Sequence, residues 1–177
     1  FKVKLVKGNA AKVTAKGRDI DLDKIKVSQK GDKVSVRLKK GTYRNLKNIV
    51  LEISTPSLEN LNVSGACKLT AKGFSEQQMY LGVSGASRIE LKDGNADNFT
   101  LEVSGASKIV AYDFAVKNAQ IELSGASKAY VQVQNKLSVD ASGASKVRYK
   151  GNPTVSSSNS GVSSCLLYTS DAADERN

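Results

Sequence analysis

The chain has 177 residues, with 27 basic against 17 acidic side chains and a formal net charge of +10. Hydrophobic residues make up 40%, but aromatics only 6%, and there is neither Trp nor His. No apolar run approaches the ~20 residues that a membrane-spanning helix needs, the absence of His removes the commonest acid–base side chain, and the basic balance points to anionic partners rather than to any fold.

Phe1-Lys2-Val3-Lys4-Leu5 alternates from its first residue, the period of a strand with one buried face. A chain opening inside a strand is expected to have lost an upstream segment, such as a signal peptide. Alternation continues at Ile20 and Leu22, at Ile25 and Val27, and at Val34, Val36 and Leu38. Turn signals separate these runs at Lys7-Gly8-Asn9, Lys16-Gly17, Lys30-Gly31-Asp32 and Lys40-Gly41-Thr42. Leu51-Glu52-Ile53-Ser54 resembles a later unit, Leu101-Glu102-Val103-Ser104, with Thr55-Pro56 in place of Gly-Ala. Residues 1–62 are therefore expected to form divergent coils of the repeat that follows, because terminal units of repeat proteins depart from the pattern where they cap an edge.

From residue 63 the pattern is regular. Ser-Gly-Ala starts at Ser64, Ser84, Ser104, Ser124 and Ser142, spacings of 20, 20, 20 and 18 residues. Alternating strands precede each copy, as in Ile121-Glu122-Leu123, and a short strand such as Lys108-Ile109-Val110-Ala111 follows it. No unit has room for a helix, which excludes leucine-rich, ankyrin and βαβ repeats. A ~20-residue unit of strand and turn closes into one coil, and successive coils stack at ~4.8 Å. The expected fold is all-β: a single-stranded parallel, right-handed β-helix, with regular repeats over residues 63–153 and a Ser-rich end over 154–163.

Residues 164–177 are expected to be foreign to the fold. Cys165-Leu166-Leu167-Tyr168-Thr169-Ser170-Asp171-Ala172-Ala173-Asp174-Glu175 is the one-frame translation of a string that resembles a transposase-type sequencing adapter. Without that tail the chain is more basic still. Only Cys67 then remains, and one cysteine does not identify a redox compartment.

Stacking turns each repeat position into a column. Gly65, Gly85, Gly105, Gly125 and Gly143 should form the corner, where positive φ or close backbone approach is needed. The Ala beside each is expected in a crowded position. The first Ser is expected to bond backbone at the bend or to form an inward ladder. A nucleophilic role for these serines lacks a base. Cys67, standing where other units carry Ser, is expected to be a small buried side chain.

Lys68, Arg88, Lys108, Lys128 and Lys146 make a basic column. It reads either as a solvated edge that discourages non-native pairing or as a track for an anionic polymer such as an acidic glycan, with salt-dependent binding. Glu102, Glu122 and Asp140 form a shorter acidic column. Tyr43, Tyr80, Tyr112, Tyr130 and Tyr149 fall in no column, so specific single-stranded nucleic-acid binding has no aromatic platform. A polysaccharide-active enzyme is the alternative, with Asp93, Asp97 and Asp113 as candidate acids, although turn or surface roles explain each. No cofactor motif and no Cys/His metal spacing is present. Association with a second copy through faces or ends of the solenoid is a further expectation.

These residues resemble the auto-transporter adhesin head domain of the GIN type. The resemblance rests on Phe1-Lys2-Val3-Lys4-Leu5, Asn48-Ile49-Val50 leading to Leu58-Glu59-Asn60-Leu61, the Ser-Gly-Ala-Ser units, and Tyr149-Lys150-Gly151-Asn152-Pro153. It spans nearly all of residues 1–163. It implies a β-helix in an exported or cell-envelope protein of Bacteroidetes-like bacteria, acting as scaffold or adhesin. Cys67 in place of Ser, the 18-residue coil before Ser142 and the missing leader depart from the pattern.

Overall fold

Period-two alternation interrupted by glycine corners leaves the backbone one way to satisfy its hydrogen bonds without hairpins: each coil pairs with the next. The computed structural model describes residues 2–30, 33–39 and 49–168. Its strands are β1 (Lys2–Lys7), β2 (Lys12–Lys16), β3 (Ile25–Lys30), β4 (Lys33–Leu38), β5 (Val50–Thr55), β6 (Asn60–Gly65), β7 (Lys68–Lys72) and β8 (Ser75–Gly85). They continue with β9 (Arg88–Gly105), β10 (Lys108–Leu123), β11 (Lys128–Ala141), β12 (Lys146–Lys150), β13 (Thr154–Asn159) and β14 (Ser164–Leu167). From β6 onward every pairing is parallel, and on either side of each signature corner it is in register, which makes the chain a β-solenoid.

Each coil has three faces. One precedes the signature corner and stacks β6, the end of β8, the ends of β9 to β11, and β13. One follows it and stacks β7, the starts of β9 to β11, β12 and β14. A short third face closes the coil, where Ser75 pairs with Asn95 and Val116 with Val133. Inward columns fill the interior: Leu81, Leu101, Ile121 and Val139 from the first face, Ile89, Ile109, Ala129 and Val147 from the second. Phe74 and Phe114 fill the third side, and Phe99 from the first face packs against Phe114 with tilted rings, centroids 6.2 Å apart. The 18-residue coil keeps its corner in register by absorbing the deletion elsewhere. Pairing jumps between Ala111 and Ala115 and again between Val116 and Asn118, far from the signature.

Gly65, Gly85, Gly105, Gly125 and Gly143 all have positive φ, from 75° to 99°. A Cβ on Gly85 would stand 2.5 Å from the Gly65 carbonyl oxygen, so the column is crowded by backbone as well as twisted. The neighbouring Ala column is a correction: Ala66, Ala86, Ala106, Ala126 and Ala144 are exposed. The strand leaves the glycine outward, and the methyl faces solvent while the next residue turns in.

That next residue makes the inward ladder, which was expected of the first Ser. Ser87, Ser107, Ser127 and Ser145 are buried, whereas Ser64, Ser84, Ser104 and Ser124 are exposed. Ser107 Oγ donates to the Gly85 carbonyl at 3.1 Å and accepts the Ser87 N–H at 3.1 Å. Ser87 Oγ donates to Gly65 at 2.9 Å and accepts the Cys67 N–H at 3.3 Å. A bend cannot offer its inward N–H to a regular ladder, and the serine hydroxyl supplies the missing acceptor.

The Ser-rich end forms a further winding. β13 pairs with Lys136–Ala141, and Ser160-Gly161-Val162-Ser163 makes a sixth corner, with Gly161 at φ +73°. Ser164–Leu167 then pairs with β12.

Residues 1–62 differ from the expected coils. β1 lies parallel between β5 and β7, out of chain order. β2 runs antiparallel on β5, and β3 and β4 form a separate antiparallel pair. Alternation fixes a strand but not the direction of its partner, and the antiparallel β2 ends the sheet order beyond β5. Asp19–Leu22, expected within an extended run, is a single helical turn. Asp21 is buried there between Arg18 at 2.7 Å and Lys24 at 3.4 Å, an i,i+3 spacing that an extended chain cannot bring together. The turn signals at Gly31-Asp32 and Lys40-Gly41-Thr42 lie outside the described residues.

Two stability comparisons follow from the corner. Gly105→Ala should destabilise by on the order of 3 kcal/mol, since strain and backbone overlap add. Gly65→Ala, with nothing within 4 Å of the added methyl, should lose about 1–2 kcal/mol from φ alone. Ser107→Ala should lose about 1–3 kcal/mol by orphaning the Ser87 N–H, while Ser104→Ala on the exposed column stays within about 0.5 kcal/mol. Urea unfolding of the four variants measures the ranking.

Candidate functional site

The strand that follows each corner carries one basic residue outward, and in-register pairing stacks these residues. Lys68 pairs with Arg88, Arg88 with Lys108, Lys108 with Lys128, and Lys128 with Lys146. The structure adds one member: Lys2 on the intercalated β1 pairs with Lys68 and extends the row. Sequence reasoning missed Lys2 because it lies outside the period; the only signal was the shared alternation of Lys2-Val3-Lys4-Leu5 and Lys68-Leu69-Thr70-Ala71.

The column is uneven in charge. Arg88 donates to Glu90 at 2.9 Å, and Lys92 reaches the same carboxylate at 3.3 Å. Lys68, Lys108, Lys128 and Lys146 make no ion pair among the described residues. Like charges ~4 Å apart in water repel by about 1 kcal/mol, which splaying and salt reduce. Between this column and the exposed Ala column runs an open groove of about 560 Å³, with Ala86 and Ala106 along one side, Arg88, Lys108 and Lys128 along the other, and Ser87 and Ser107 between them.

The opposite flank of the corner is acidic. Glu102, Glu122 and Asp140 stack in register and line a second groove of about 570 Å³ with the exposed Ser column. Tyr80 donates its hydroxyl to Glu102 at 2.9 Å, and that carboxylate raises the phenol above its ordinary range.

Two of the five tyrosines meet although they share no column. Tyr112 meets Tyr130 edge-on, with centroids 5.6 Å apart, and packs against Tyr168 at 5.1 Å. Lys108 lies 5.1 Å from the Tyr130 centroid, and Lys150 lies 4.4 Å from that of Tyr112. Burial pushes the Tyr112 phenol far above its usual range. Tyr112 and Tyr130 escaped the period because Tyr112 sits where β10 and β11 change register. Tyr43 lies outside the described residues.

Two of the candidate catalytic acids, Asp93 and Asp97, are engaged in ion pairs, and the register sets Asp113 beside Asp93. Asp93 pairs with Lys72 at 3.0 Å and stands at φ +51° within β9, where its pairing with β10 is irregular, Asp97 pairs with Lys117 at 2.8 Å, and Asp113 is exposed opposite Lys92. No helix among the described residues is long and apolar enough to cross a membrane.

One pH effect follows from the column. The Arg88 hydrogen bond, helped by Lys92, holds the Glu90 carboxyl below its ordinary value near 4.5 against the opposing effect of burial. A depressed carboxylate stabilises the fold above its unfolded pKa and loses that contribution as pH falls through the folded value. Arg88→Gln should therefore raise the Glu90 pKa and flatten the acid limb of stability below about pH 4.5. Carboxyl NMR titration and acid unfolding of both proteins measure it.

The family described as "Putative auto-transporter adhesin, head GIN domain" matches residues 1–153. Three crystal structures, each called a "putative adhesin", share the fold. That from Bacteroides fragilis NCTC 9343 is 15% identical with a TM-score of 0.68, covering 94% of this chain and 86% of its own. That from Parabacteroides distasonis ATCC 8503 is 12% identical at 0.55, covering 94% and 88%. That from Parabacteroides merdae ATCC 43184 is 14% identical at 0.50, covering 95% and 88%. No curated protein matches.

Proposed function

The chain belongs to the family of auto-transporter adhesin head GIN domains, and on that premise we propose that it is a non-catalytic, extracytoplasmic scaffold that holds anionic surface polymers along its basic column. The observation that carries this reading is the register of Lys2, Lys68, Arg88, Lys108, Lys128 and Lys146 on one flank. A row of cations repeated at ~4.8 Å meets a linear polyanion at many points without specifying its sequence, and binding of that kind is driven by counterion release.

The flanks support a direction of docking. A polyanion on the basic side is repelled by Glu102, Glu122 and Asp140 across the corner, so it is confined to the groove beside the Ala column. The small Ala side chains along its far side leave room for a chain to approach the lysine stems closely. Acidic glycans, with carboxylates or sulfates along an extended backbone, fit this arrangement.

Binding of a uronic-acid polymer across a salt series tests the proposal. Affinity should fall linearly with salt on logarithmic axes. The triple variant Lys108→Gln, Lys128→Gln, Lys146→Gln should weaken binding at least tenfold at low salt and reduce the slope by about two. Binding indifferent to salt and to these substitutions would overturn the reading, as would release of reducing ends from the polymer.

A further inference from the structure

The corner carries opposite charges on its two flanks, coil by coil. In one coil Glu102 precedes the bend and Lys108 follows it; in the next, Glu122 and Lys128; in the next, Asp140 and Lys146. The three acids are exposed, and neither they nor the three lysines make an ion pair among the described residues. Between them stands a ridge without bulk: Ser, Gly and Ala at each level, all exposed except the half-buried Ser142.

We propose that this ridge is a self-docking surface, on which a second copy of the chain binds side by side and in the same axial direction. The symmetry follows from the charges. A two-fold axis parallel to the solenoid axis exchanges left and right flanks without reversing the order of coils. It sets Glu102 against the second copy's Lys108, Glu122 against its Lys128 and Asp140 against its Lys146, and repeats the same three pairs on the other flank. A two-fold axis perpendicular to the solenoid axis instead faces acid with acid and base with base, which like-charge repulsion disfavours. An isologous contact of this kind is self-complementary and closes at two copies. The small ridge residues let the backbones approach, and the lysine stems span the wedge between the diverging flanks. The net charge of +10 opposes association, but at physiological ionic strength its reach is about 8 Å, so the facing columns govern the docked geometry. The surface uses lysines assigned above to polymer binding, yet it requires the acidic column, which polymer binding does not.

Sedimentation velocity of the full chain over a concentration and salt series provides the first test. Two charge-reversed proteins provide the second: Lys108→Glu, Lys128→Glu, Lys146→Glu in one, and Glu102→Lys, Glu122→Lys, Asp140→Lys in the other. Each alone should lose self-association at least tenfold, and an equimolar mixture should recover it as a one-to-one complex. Direction is read with Ala66→Cys or Ala144→Cys in a Cys67→Ser, Cys165→Ser background. The parallel arrangement gives disulfides between like positions, 66 to 66 and 144 to 144. Retained circular dichroism confirms that each variant is folded. A chain that stays monomeric at every concentration overturns the proposal, as do cross-links found only between position 66 and position 144. Undiminished association of the Glu102→Lys, Glu122→Lys, Asp140→Lys protein overturns it while leaving polymer binding standing.

Discussion

The close approach of one corner to the next is the constraint on which the rest of the structure depends. The N–H of Ala86, Ala106, Ala126 and Ala144 each reaches the carbonyl of the preceding coil's Gly at 2.8–3.0 Å, and the same carbonyl accepts the buried serine hydroxyl. From Gly85 onward that geometry leaves no room for a Cβ at the glycine, and from Ser87 onward it sets a hydroxyl against the preceding coil's backbone. It also forbids slippage, because a one-residue shift would place the serine outside and a charged residue in the core. The signature is therefore the part of the coil that fixes register, and everything borne on the flanks inherits the alignment.

How far the sequence discloses the molecule follows from the same constraint. Where backbone approach dictates the side chain, as at Gly85 or Ser107, the residue repeats and the column can be read directly. Where it does not, the reading weakens. The outward Ala tolerates any small residue, and its repetition suggested crowding when the position is open. Ser160-Gly161-Val162-Ser163 is a sixth corner hidden by one methyl-bearing substitution at that permissive place. Lys2 could not be placed in the basic row, because β1 enters between β5 and β7 by pairing rather than by period. The Tyr112–Tyr130 contact was invisible for a related reason: the shortened coil changes register between them. Asp19–Leu22 misled because a helical turn of four residues is too short to show its own period.

The corner also organises the chemistry. A flat sheet would mix outward acids and bases over one surface, whereas a bend sorts them to two sides. Arg88 is drawn into a local pair with Glu90, and the lysines above and below it keep their charge available. Competition between a polymer and a second copy for those lysines couples the two kinds of contact, since neither can hold the flank while the other occupies it.

The intercalated first strand has a consequence for how the chain is made. β1 rests between residues 50–55 and 68–72, so its neighbours on both sides emerge from the ribosome long after it does. Winding cannot then proceed strictly from the amino terminus, as it can in a solenoid whose strands are laid down in order. The opening segment must wait, or pair transiently elsewhere, until the first regular coil exists to receive it. Such delayed, sequence-distant pairing is slow to form because loop closure precedes its reward. Translation order and stacking order are thereby uncoupled at one end of the molecule and matched at the other.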